Sequence, residues 1–285
     1  MIHLITGANG NIGGRVVEQL VARGERPRVF VRDAARARAR FGDRVDIAVG
    51  DLADPSSLAG SFVGAETLFL LNSGSALGER DEAAARAARA VGVRRLVKLS
   101  SLGARTSGRP TAVALWHAQG EAAIRASGVP FTFIQSVGFM TNTLAWARTV
   151  KSEGMVRAST GEGKIAMIHP DDIAAVAVEA LTTNAYEGQA LAVTGPEALT
   201  YAQMVAKIGA AIGKPLRFEA IGDEVALQNL LRAGLTGEVA EALVTLWREV
   251  REGRVDLVTD DVERVTGRKP ITFDAWTRDN AQAFR

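Results

Sequence analysis

The sequence contains no cysteine, and this absence removes several kinds of chemistry at once. A disulfide, a thiolate nucleophile and a cysteine-ligated zinc ion are all excluded. Histidine is scarce as well, with three residues in 285, so a histidine-rich metal site is not expected. We therefore expect no bound metal, and any catalysis must depend on hydroxyl, carboxylate or amine groups or on a lone imidazole.

Long apolar runs and blocks of like charge are also missing. No stretch of about 18 apolar residues occurs, and the chain starts with a strand-like pattern and no basic leader, so no membrane partner is expected. The 34 basic residues alternate with 32 acidic ones and leave a net charge of +2, which predicts no nucleic-acid partner. The densest basic stretch, residues 32–41, is typical of a solvated helix face. These absences favour a soluble cytoplasmic protein, either a monomer or a homodimer.

What the sequence does contain is an alternation of short apolar runs and amphipathic segments in its first half. Strand-like runs lie at residues 2–6, 27–32, 45–50, 67–71, 95–100 and 131–136. Helical segments lie between them, near residues 11–23, 33–41, 55–60, 79–92 and 111–127. Apolar strands separated by helices are typical of a parallel sheet covered on both faces, because each right-handed crossover buries a helix. The pattern predicts an α/β fold built on a Rossmann-like, doubly wound parallel sheet.

The alternation becomes looser after residue 137. We expect a helix near 139–152, an extended segment at 163–169, a helix at 171–182, a strand at 189–195 and mostly helix after that. The strand at 189–195 is expected to return to the main sheet. The larger predicted domain therefore comprises residues 1–136 and 171–195. A smaller, mostly helical lobe comprises residues 137–170 and 196–285.

A glycine cluster follows the first predicted strand. Gly7, Gly10 and Gly13 form the pattern G-x-x-G-x-x-G where the first helix begins. Glycine there lets the backbone turn sharply, lets a pyrophosphate approach the amides and lets the helix lie close to the strand. The positive end of the helix dipole also favours an anion. A glycine-rich turn without a ligand is the alternative, but the position favours a dinucleotide site. Its predicted residues in this loop are Gly7, Asn9, Gly10, Asn11, Ile12 and Gly13.

The glycine spacing resembles that of the extended and atypical short-chain dehydrogenase/reductase superfamily. Longer segments are similar to the NmrA-like family, including its NAD(P)H:quinone oxidoreductase-type members. They are "VGDLADPSSLAGSFVGAETLFLL", "RLVKLSSLGA", "HAQGEAAIRASGVPFTFIQSVGFMTN", "HPDDIAAVAVEAL" and "ALAVTGPEALTYAQMVAKIGAAIGKPLRF". The resemblance covers nearly the whole chain. It implies that the larger domain binds NAD(P) and that the smaller lobe binds the substrate.

The end of the second strand indicates which dinucleotide is used. A carboxylate there accepts the ribose hydroxyls of NAD, whereas a cation pairs with the 2′-phosphate of NADP. Arg32 occupies this place, and Arg36, one helical turn later, adds a second guanidinium. Asp33 is adjacent, but its side chain is expected to point elsewhere. We therefore predict NADPH as the cofactor, with a plain surface role for Arg32 as the alternative.

The family resemblance implies further cofactor contacts at the ends of later strands. Asp51 and Leu52 match a pair that lies against adenine. The loop that follows the cofactor toward nicotinamide matches Leu71, Asn72 and Ser73. Ser100 and Ser101 end the fifth strand, where the superfamily places a substrate-facing hydroxyl. We assign Ser100 to the cofactor and Ser101 to catalysis, although serine at a strand end is also common turn chemistry.

The helix at 111–127 departs from the superfamily pattern. The tyrosine and lysine of Tyr-x-x-x-Lys correspond here to Val113 and His117, so the usual acid is missing. Helical spacing places both on one face with Gly120 and Ile124, which we expect to point inward. A histidine with an ordinary pKa near 6.5 makes His117 the candidate general acid, and a core or ribose-facing histidine is the equal alternative. Gly120 indicates a close approach by backbone or ligand, because glycine in a helix interior costs about 1 kcal/mol.

Residues after the sixth strand are candidates for an apolar acceptor pocket. They are Val137, Phe139, Met140 and Asn142, and a plain hydrophobic contact is equally plausible. Asp171 and Asp172 are interpreted as helix-capping residues, and His169 is not expected to face a cleft. The resemblance implies an NADPH-dependent oxidoreductase whose small-molecule acceptor is a quinone, an enone or an aromatic ketone. The alternative is an NmrA-type redox sensor without turnover, and epimerase or dehydratase chemistry is disfavoured without the tyrosine.

Overall fold

The computed structural model describes residues 1–105 and 111–285. The strands are β1 His3–Thr6, β2 Arg28–Val31, β3 Asp46–Val49, β4 Thr67–Leu70, β5 Arg95–Ser101, β6 Phe131–Ser136, β7 Met155–Ala158, β8 Lys164–Ile165, β9 Ala190–Val193, β10 Leu199–Thr200 and β11 Arg217–Ala220. The α-helices are α1 Asn11–Ala22, α2 Ala34–Phe41, α3 Leu58–Phe62, α4 Leu77–Ala90, α5 Ala112–Ser127, α6 Ala147–Glu153, α7 Pro170–Thr182, α8 Tyr201–Ile212, α9 Asp223–Arg232, α10 Gly237–Arg251, α11 Asp261–Thr266 and α12 Phe273–Asp279.

The described chain forms two compact units. The first comprises Met1–Ser136, Pro170–Ala192 and Arg264–Gly267. The second comprises Val137–His169, Val193–Glu263 and Arg268–Arg285. In the part of the chain that the structure describes, no helix is both long and apolar enough to cross a membrane.

The first unit is built on a seven-stranded sheet with the order β3-β2-β1-β4-β5-β6-β9. Each neighbouring pair from β3 to β6 is parallel. The strand order reverses between β1 and β4, which in doubly wound folds is the switch point where ligands bind outside the carboxyl ends of the strands. The fold class predicted from the alternating pattern is thus confirmed.

Helices cover both faces of this sheet because its strands are apolar on both sides. On one face, α1 packs against α7, whose side chains are almost all buried. On the other face, α3, α4 and α5 pack over an apolar cluster. It includes Leu4, Phe62, Leu68, Leu70, Ala84, Ala88, Leu96, Ile124 and Phe133. Helix α5 starts at an N-cap formed by Thr111 and ends at Gly128, which has a φ of 71°, and this agrees with the predicted segment 111–127.

The second unit has its own core and more strand than predicted. Its core includes Met140, Val156, Met204, Ile208, Phe273 and Trp276. Strand β11 pairs in parallel with β7, and β10 pairs antiparallel with β8. The prediction of a mostly helical second half missed β7, β10 and β11, because they have two to four residues each and β11 is largely exposed. Such short, polar runs give no clear period-two signal.

Three predicted segments differ from the structure in local detail. Segment 139–152 is a 3-10 turn at Met140–Trp146 followed by α6, and segment 55–60 is a 3-10 turn at Pro55–Ser57 followed by α3. The extended segment 163–169 contains only the two-residue strand β8, together with a bridge between Phe139 and Ile168. In the second case Asp54 accepts the amide of Ser56, and a proline at the first position favours the tight turn.

Candidate functional site

The glycine cluster forms the turn from β1 into α1, and a Cβ at any of its three glycines would meet a close neighbour. Gly7 has a φ of 65°, and a Cβ there would lie 2.9 Å from Cδ2 of Leu71. A Cβ at Gly10 would lie 3.1 Å from the carbonyl oxygen of Gly7, and one at Gly13 would overlap that oxygen. The helix therefore starts against the strand, with backbone amides at its N-terminus, as the glycine pattern predicts.

Thr6 joins the two strands on either side of the switch point. Its Oγ1 accepts the amide of Leu71 at 2.7 Å and lies within donating distance of the carbonyls of Phe69 and Leu71, at 3.1 and 3.0 Å. This bonding holds the carboxyl end of β4 beside the glycine turn. Thr6 was not singled out from the sequence, because the residue before a glycine turn carries no recognisable signal of a cross-strand bond.

Arginines from the β2–α2 region border the glycine turn. Arg36 donates to the carbonyl of Asn9 at 3.4 Å, and Arg40 donates to the carbonyl of Gly10 at 3.2 Å. Arg32 is 80% exposed and lies 3.8 Å from Asp51. Arg36 and Arg40 lie four residues apart on one side of α2, and Arg32 precedes the helix at the end of β2. A cationic edge therefore adjoins the predicted phosphate-binding turn.

Arg40 corrects the interpretation of residues 32–41 as a solvated helix face. Besides its bond to the turn, it pairs with Glu18 of α1 at 2.7 Å. A Cβ at Gly14 would overlap the Arg40 guanidinium, so this second glycine of the "IGG" pair makes room for it. The sequence held a usable signal, since Arg40 continues the four-residue spacing of Arg32 and Arg36.

The polar residues near this edge are engaged with the backbone. Asp33 caps α2 by accepting the amide of Arg36 at 2.9 Å. Asn9 donates to the carbonyl of Asp33 at 3.2 Å, and its Oδ1 is buried without a hydrogen-bond partner among the described residues. Asp51 accepts the amide of Ala53 at 2.9 Å, and Leu52 packs against the apolar core of the sheet.

A buried ion pair lies beyond the carboxyl end of β4. Lys98 of β5 and Asp81 of α4 are both completely buried, with Nζ and Oδ2 2.5 Å apart. The other Asp81 oxygen accepts the side-chain amide of Asn72. Burial raises the pKa of Asp81, and the charge of Lys98 opposes that change. Asp81 and Lys98 were missed from the sequence because they lie 17 positions apart, on different elements, outside any motif.

His117 lies on α5, one turn before Gly120, in an environment that differs from the expected one. Burial, with a further contribution from the positive charge of Lys98, lowers the pKa of His117 to about 3. The expected ordinary pKa is therefore wrong, and the imidazole is neutral near neutral pH. Its Nδ1 is buried and has no hydrogen-bond partner among residues 1–105 and 111–285.

Two other expectations for α5 need correction. Val113, in the tyrosine position, is 37% exposed and does not continue the inward stripe, because it lies in the first turn of the helix. The close approach at Gly120 comes from a side chain: a Cβ there would overlap Oδ2 of Asp81. Gly120 thus lets α5 pack tightly over the buried carboxylate.

The two serines at the end of β5 point in opposite directions. Ser100 is buried and donates to Glu121 at 2.6 Å, and Gln135 donates to the same carboxylate oxygen at 2.7 Å. Its hydroxyl is thus committed to α5, which argues against the cofactor contact assigned to Ser100. Ser101 accepts the amide of Gly103 at 3.2 Å through its hydroxyl oxygen. In that bond the hydroxyl is the acceptor, so the Ser101 O–H is still able to donate.

The predicted acceptor-pocket residues belong to the second unit and do not behave alike. Val137 and Phe139 are partly buried, and Asn142 is exposed. Met140 is 1% exposed and packs in the core of this unit, so the structure assigns it to packing and not to a substrate surface. His169 is buried.

The remaining singled-out residues lie in the first unit. Asp171 pairs with Arg15 at 2.7 Å and so ties the start of α7 to α1, while Asp172 is buried. Asn11, in the first turn of α1, accepts from Arg15 at 3.2 Å, and Ile12 is buried against the sheet. Ser73 is exposed, and its carbonyl accepts from Arg80 at 3.1 Å. In the described ranges, no group of three or more acidic or histidine residues is placed to hold a metal ion.

Comparison with known proteins places this geometry in a family. A family model described as NAD(P)H-binding matches residues 7–184. A (4-alkanoyl-5-oxo-2,5-dihydrofuran-3-yl)methyl phosphate reductase of Streptomyces griseus is 37% identical, with 99% of this chain and 98% of the relative covered. An NAD(P)H azoreductase of Xenophilus azovorans is 35% identical over 99% of this chain and 98% of its own length.

A solved structure gives the same result. The NADPH-dependent quinone oxidoreductase of Escherichia coli, complexed with NADPH, superposes with a TM-score of 0.90 and is 25% identical, with 98% of this chain and 99% of that chain covered. The family model starts at the glycine turn and spans α1, β2 to β6 and α7, which are most of the elements of the first unit. The chain therefore belongs to the NAD(P)H-binding family of NAD(P)-dependent oxidoreductases, as its resemblance to NmrA-like proteins predicts.

Proposed function

We propose that the protein is an NADPH-dependent reductase that passes hydride to a flat, apolar, conjugated acceptor such as a quinone, an enone or an aromatic ketone. The observation that carries this proposal is the glycine turn at the switch point with its cationic border of Arg32, Arg36 and Arg40. Backbone amides at a helix N-terminus suit a pyrophosphate, and guanidinium groups suit a further phosphate on the ribose.

The residues present fit a phosphorylated dinucleotide. Side chains larger than hydrogen are excluded where the pyrophosphate would approach, at Gly7 and Gly13. Arg32 is largely exposed and only loosely paired with Asp51, at 3.8 Å, so its guanidinium is available to an anion. Asp33, the carboxylate that could have favoured an unphosphorylated ribose, is used as a helix cap. When bound, NADPH would supply the hydride. The residues of the chain would bind and orient NADPH and assist proton transfer to the reduced acceptor.

The acceptor class is supported by what the relatives' names have in common. An alkanoyl-substituted furanone, an azo compound and a quinone all accept electrons into a conjugated unsaturated system. Such acceptors stabilise the negative charge left by hydride through delocalisation, so they need less acid assistance than an isolated ketone. This matches a chain with Val113 where the superfamily has its tyrosine acid.

The proton step depends on a neutral imidazole. With its pKa lowered to about 3, His117 offers an N–H donor at neutral pH rather than an imidazolium. A neutral N–H can stabilise developing negative charge on an acceptor oxygen by a hydrogen bond, and water can then deliver the proton. Ser101 is the second candidate donor, because its hydroxyl oxygen accepts from Gly103 and its O–H is still able to donate.

The test combines cofactor binding with turnover. NADPH and NADH are titrated into the protein by calorimetry, and NADPH oxidation is then followed by absorbance with quinones, enones, aromatic ketones and azo dyes. Tight NADPH binding and turnover of at least one conjugated acceptor support the proposal. Tight binding without turnover of any of them would favour an NmrA-type sensor, and failure to bind either dinucleotide would reject both functions.

A further inference from the structure

The buried pair of Asp81 and Lys98 stands where an apolar contact would be the simpler solution. Leu96, Lys98 and Ser100 alternate along the same face of β5, beneath α4 and α5. Leu96 joins the apolar cluster, whereas Lys98 is wholly buried as an ammonium opposite a wholly buried carboxylate. Burying two charges carries a desolvation penalty that well-packed apolar side chains avoid. Stability alone therefore does not explain the pair.

The carboxylate of Asp81 fixes the orientation of Asn72. A carboxylate only accepts hydrogen bonds, so the atom of Asn72 that faces Asp81 must be the donating Nδ2. The carbonyl Oδ1 of Asn72 is thereby turned the other way, and it is buried with no partner among the described residues. A buried amide oxygen held in this way is set to accept a hydrogen bond from an N–H or O–H group.

Gly120 connects the same carboxylate to the helix that carries His117. Any Cβ at Gly120 would overlap Oδ2 of Asp81, so the side chain of Asp81 fills the space that this glycine leaves. Helix α5 is therefore seated directly on the ion pair. His117 lies three positions earlier on this helix, which is one turn away on the same side.

Lys98 provides the electrostatic link to His117. Helix α5 packs against α4, β5, β6 and the 3-10 turn Leu102–Arg105. Among the described residues, the charged side chains on these elements include Asp81 on α4, Lys98 on β5, Arg105 in the turn and Glu121 on α5 itself. Arg105 is engaged with Gln135, and Glu121 accepts from Ser100. After burial, the charge of Lys98 is the factor that disfavours protonation of the imidazole.

We propose that Asp81 and Lys98 are positioning residues for the reduction, and that their buried pair sets the orientation of Asn72 and the electrostatic environment of His117 at the carboxyl ends of β4 and β5. This inference rests on the proposed function. Neither residue needs to touch the acceptor or the dinucleotide. Their role is to fix two groups that do, before either ligand arrives.

The test replaces both charges by apolar side chains of similar size, Asp81→Leu with Lys98→Met. Removing both partners of a buried pair is often neutral or stabilising, whereas removing one leaves an unpaired buried charge. The matched control is Arg95→Met with Glu187→Leu, which removes another ion pair, 3.2 Å long, whose arginine lies at the opposite end of β5. Thermal unfolding checks that both variants are folded.

Two readouts separate a positioning role from a structural one. The first is an NMR titration of the ring protons of the three histidines, with His117 assigned through His117→Gln. The second is kcat, measured with a conjugated acceptor that the wild-type protein reduces in the turnover assay of the proposed function. We expect the pKa of His117 to rise by at least one pH unit from about 3 in the double variant and kcat to fall at least tenfold, while the control changes neither.

An unchanged pKa or an unchanged kcat in the folded double variant overturns the inference. If it does not fold, Asp81→Asn with Lys98→Met removes both charges but keeps an acceptor for Asn72, and the same criteria apply. If the wild-type protein turns over no acceptor, the proposed function fails. The titration then decides alone whether the pair controls His117.

Discussion

At the scale of single residues, we expect Arg32 to decide the choice between the two nicotinamide cofactors. Arg32 follows β2 with its side chain 80% exposed, and Asp51 is 3.8 Å away. We expect the wild-type protein to bind NADPH more tightly than NADH, because only NADPH carries the 2′-phosphate. Arg32→Ala should weaken NADPH binding by about 1.5–3 kcal/mol, roughly 10- to 150-fold, and leave NADH binding nearly unchanged.

Calorimetric titration of both cofactors measures this difference. Arg38→Ala is the control, since it removes an arginine from α2 that lies on a different side of the helix from Arg36 and Arg40. Equal affinities of the wild-type protein for the two cofactors would show that Arg32 does not bind the 2′-phosphate of NADPH.

His117 should matter for turnover more than for cofactor binding. Its imidazole is neutral, and its Nδ1 has no hydrogen-bond partner in the described ranges. If the ring stabilises charge on the acceptor, His117→Ala should lower kcat at least tenfold and change the NADPH dissociation constant by less than about threefold. Steady-state kinetics and calorimetry separate the two effects. Gln119→Ala, on the exposed side of the same helix, is the control.

A different result would reassign the residue. If the NADPH dissociation constant rises while kcat stays the same, His117 holds the ribose, as the lysine of the superfamily does. If both constants stay the same, His117 is a packing residue, and Ser101 becomes the next donor to replace.

Gly120 offers a test of how closely α5 approaches Asp81. A methyl group there would overlap Oδ2 of a completely buried carboxylate, so either the helix or the ion pair would have to shift. We expect Gly120→Ala to reduce the free energy of unfolding by about 1–3 kcal/mol. Gly60→Ala, in α3, is the control, because its Cβ would meet nothing within 4 Å. It should instead add about 0.5–1 kcal/mol. Denaturant unfolding of both variants gives the comparison, and equal effects would contradict the close approach.

At the scale of elements, helices α9 and α10 of the second unit are joined by one carboxylate. Asp223, at the start of α9, accepts from Arg251 at 2.7 and 3.0 Å and from Arg248 at 2.9 and 3.1 Å. Arg251 and then Arg248 hold the pKa of Asp223 well below its ordinary value. The stabilisation is therefore present above the ordinary carboxyl pKa and is lost as pH falls below it.

Removing this carboxylate should loosen the helix pair. We expect Asp223→Asn to cost about 1–2 kcal/mol of unfolding free energy and to speed amide exchange in α9. Glu224→Gln removes the same charge from the same first turn, which controls for the helix dipole. Hydrogen exchange followed by mass spectrometry is the measurement. Equal exchange in the two variants would show that Asp223 does not hold α9 and α10 together.

The elements differ in how well the sequence predicts them, and burial explains why. Strands such as β4 and β6 are buried on both faces, so they read as continuous apolar runs and were located closely. Strand β11 is mostly exposed and pairs with β7 from more than fifty positions earlier, so no local pattern could reveal it. Helix α5 was located because Pro110 precedes it and Gly128 follows it in the sequence, and the structure adds the N-cap Thr111.

The residues of the candidate site also differ in how well the sequence predicts them. The glycine turn and Arg32 each lie directly after a predicted strand, so they can be recognised from their positions in the sequence. Asp81 and Lys98 do not, because an aspartate in a helix and a lysine in a strand normally face solvent. Only the packing of α4 over β5 reveals that they form a pair, and the lowered pKa of His117 follows from that packing.

At the scale of the whole molecule, two histidines predict how stability depends on pH. The pKa values of His117 and His3 are both lowered, in each case chiefly by burial. Below pH 6.5 these two histidines therefore bind protons in the unfolded chain but stay neutral in the folded protein until the pH is lower. For His117, unfolding free energy should fall as pH drops from about 6.5 toward about 3, by up to about 1.4 kcal/mol per pH unit, and His3 adds to the decline in the same direction.

Denaturant unfolding across this range measures the dependence. His117→Gln should flatten the decline without removing it, because His3 remains between Thr67 at 2.7 Å and Glu25 at 3.9 Å. Parallel stability curves for the variant and the wild-type protein would mean that His117 is not held neutral by the fold.

The position of α7 in the chain has a consequence for how the protein is made. This helix covers one face of the main sheet and is almost entirely buried, yet it follows the excursion Val137–His169 into the second unit. When residues 1–169 have emerged from the ribosome, β1 to β6 are present without α7 or β9. The face of the sheet that α7 covers and the edge of β6 are then exposed. The nascent chain then depends on chaperones, or on rapid synthesis of the next two dozen residues, to avoid aggregation.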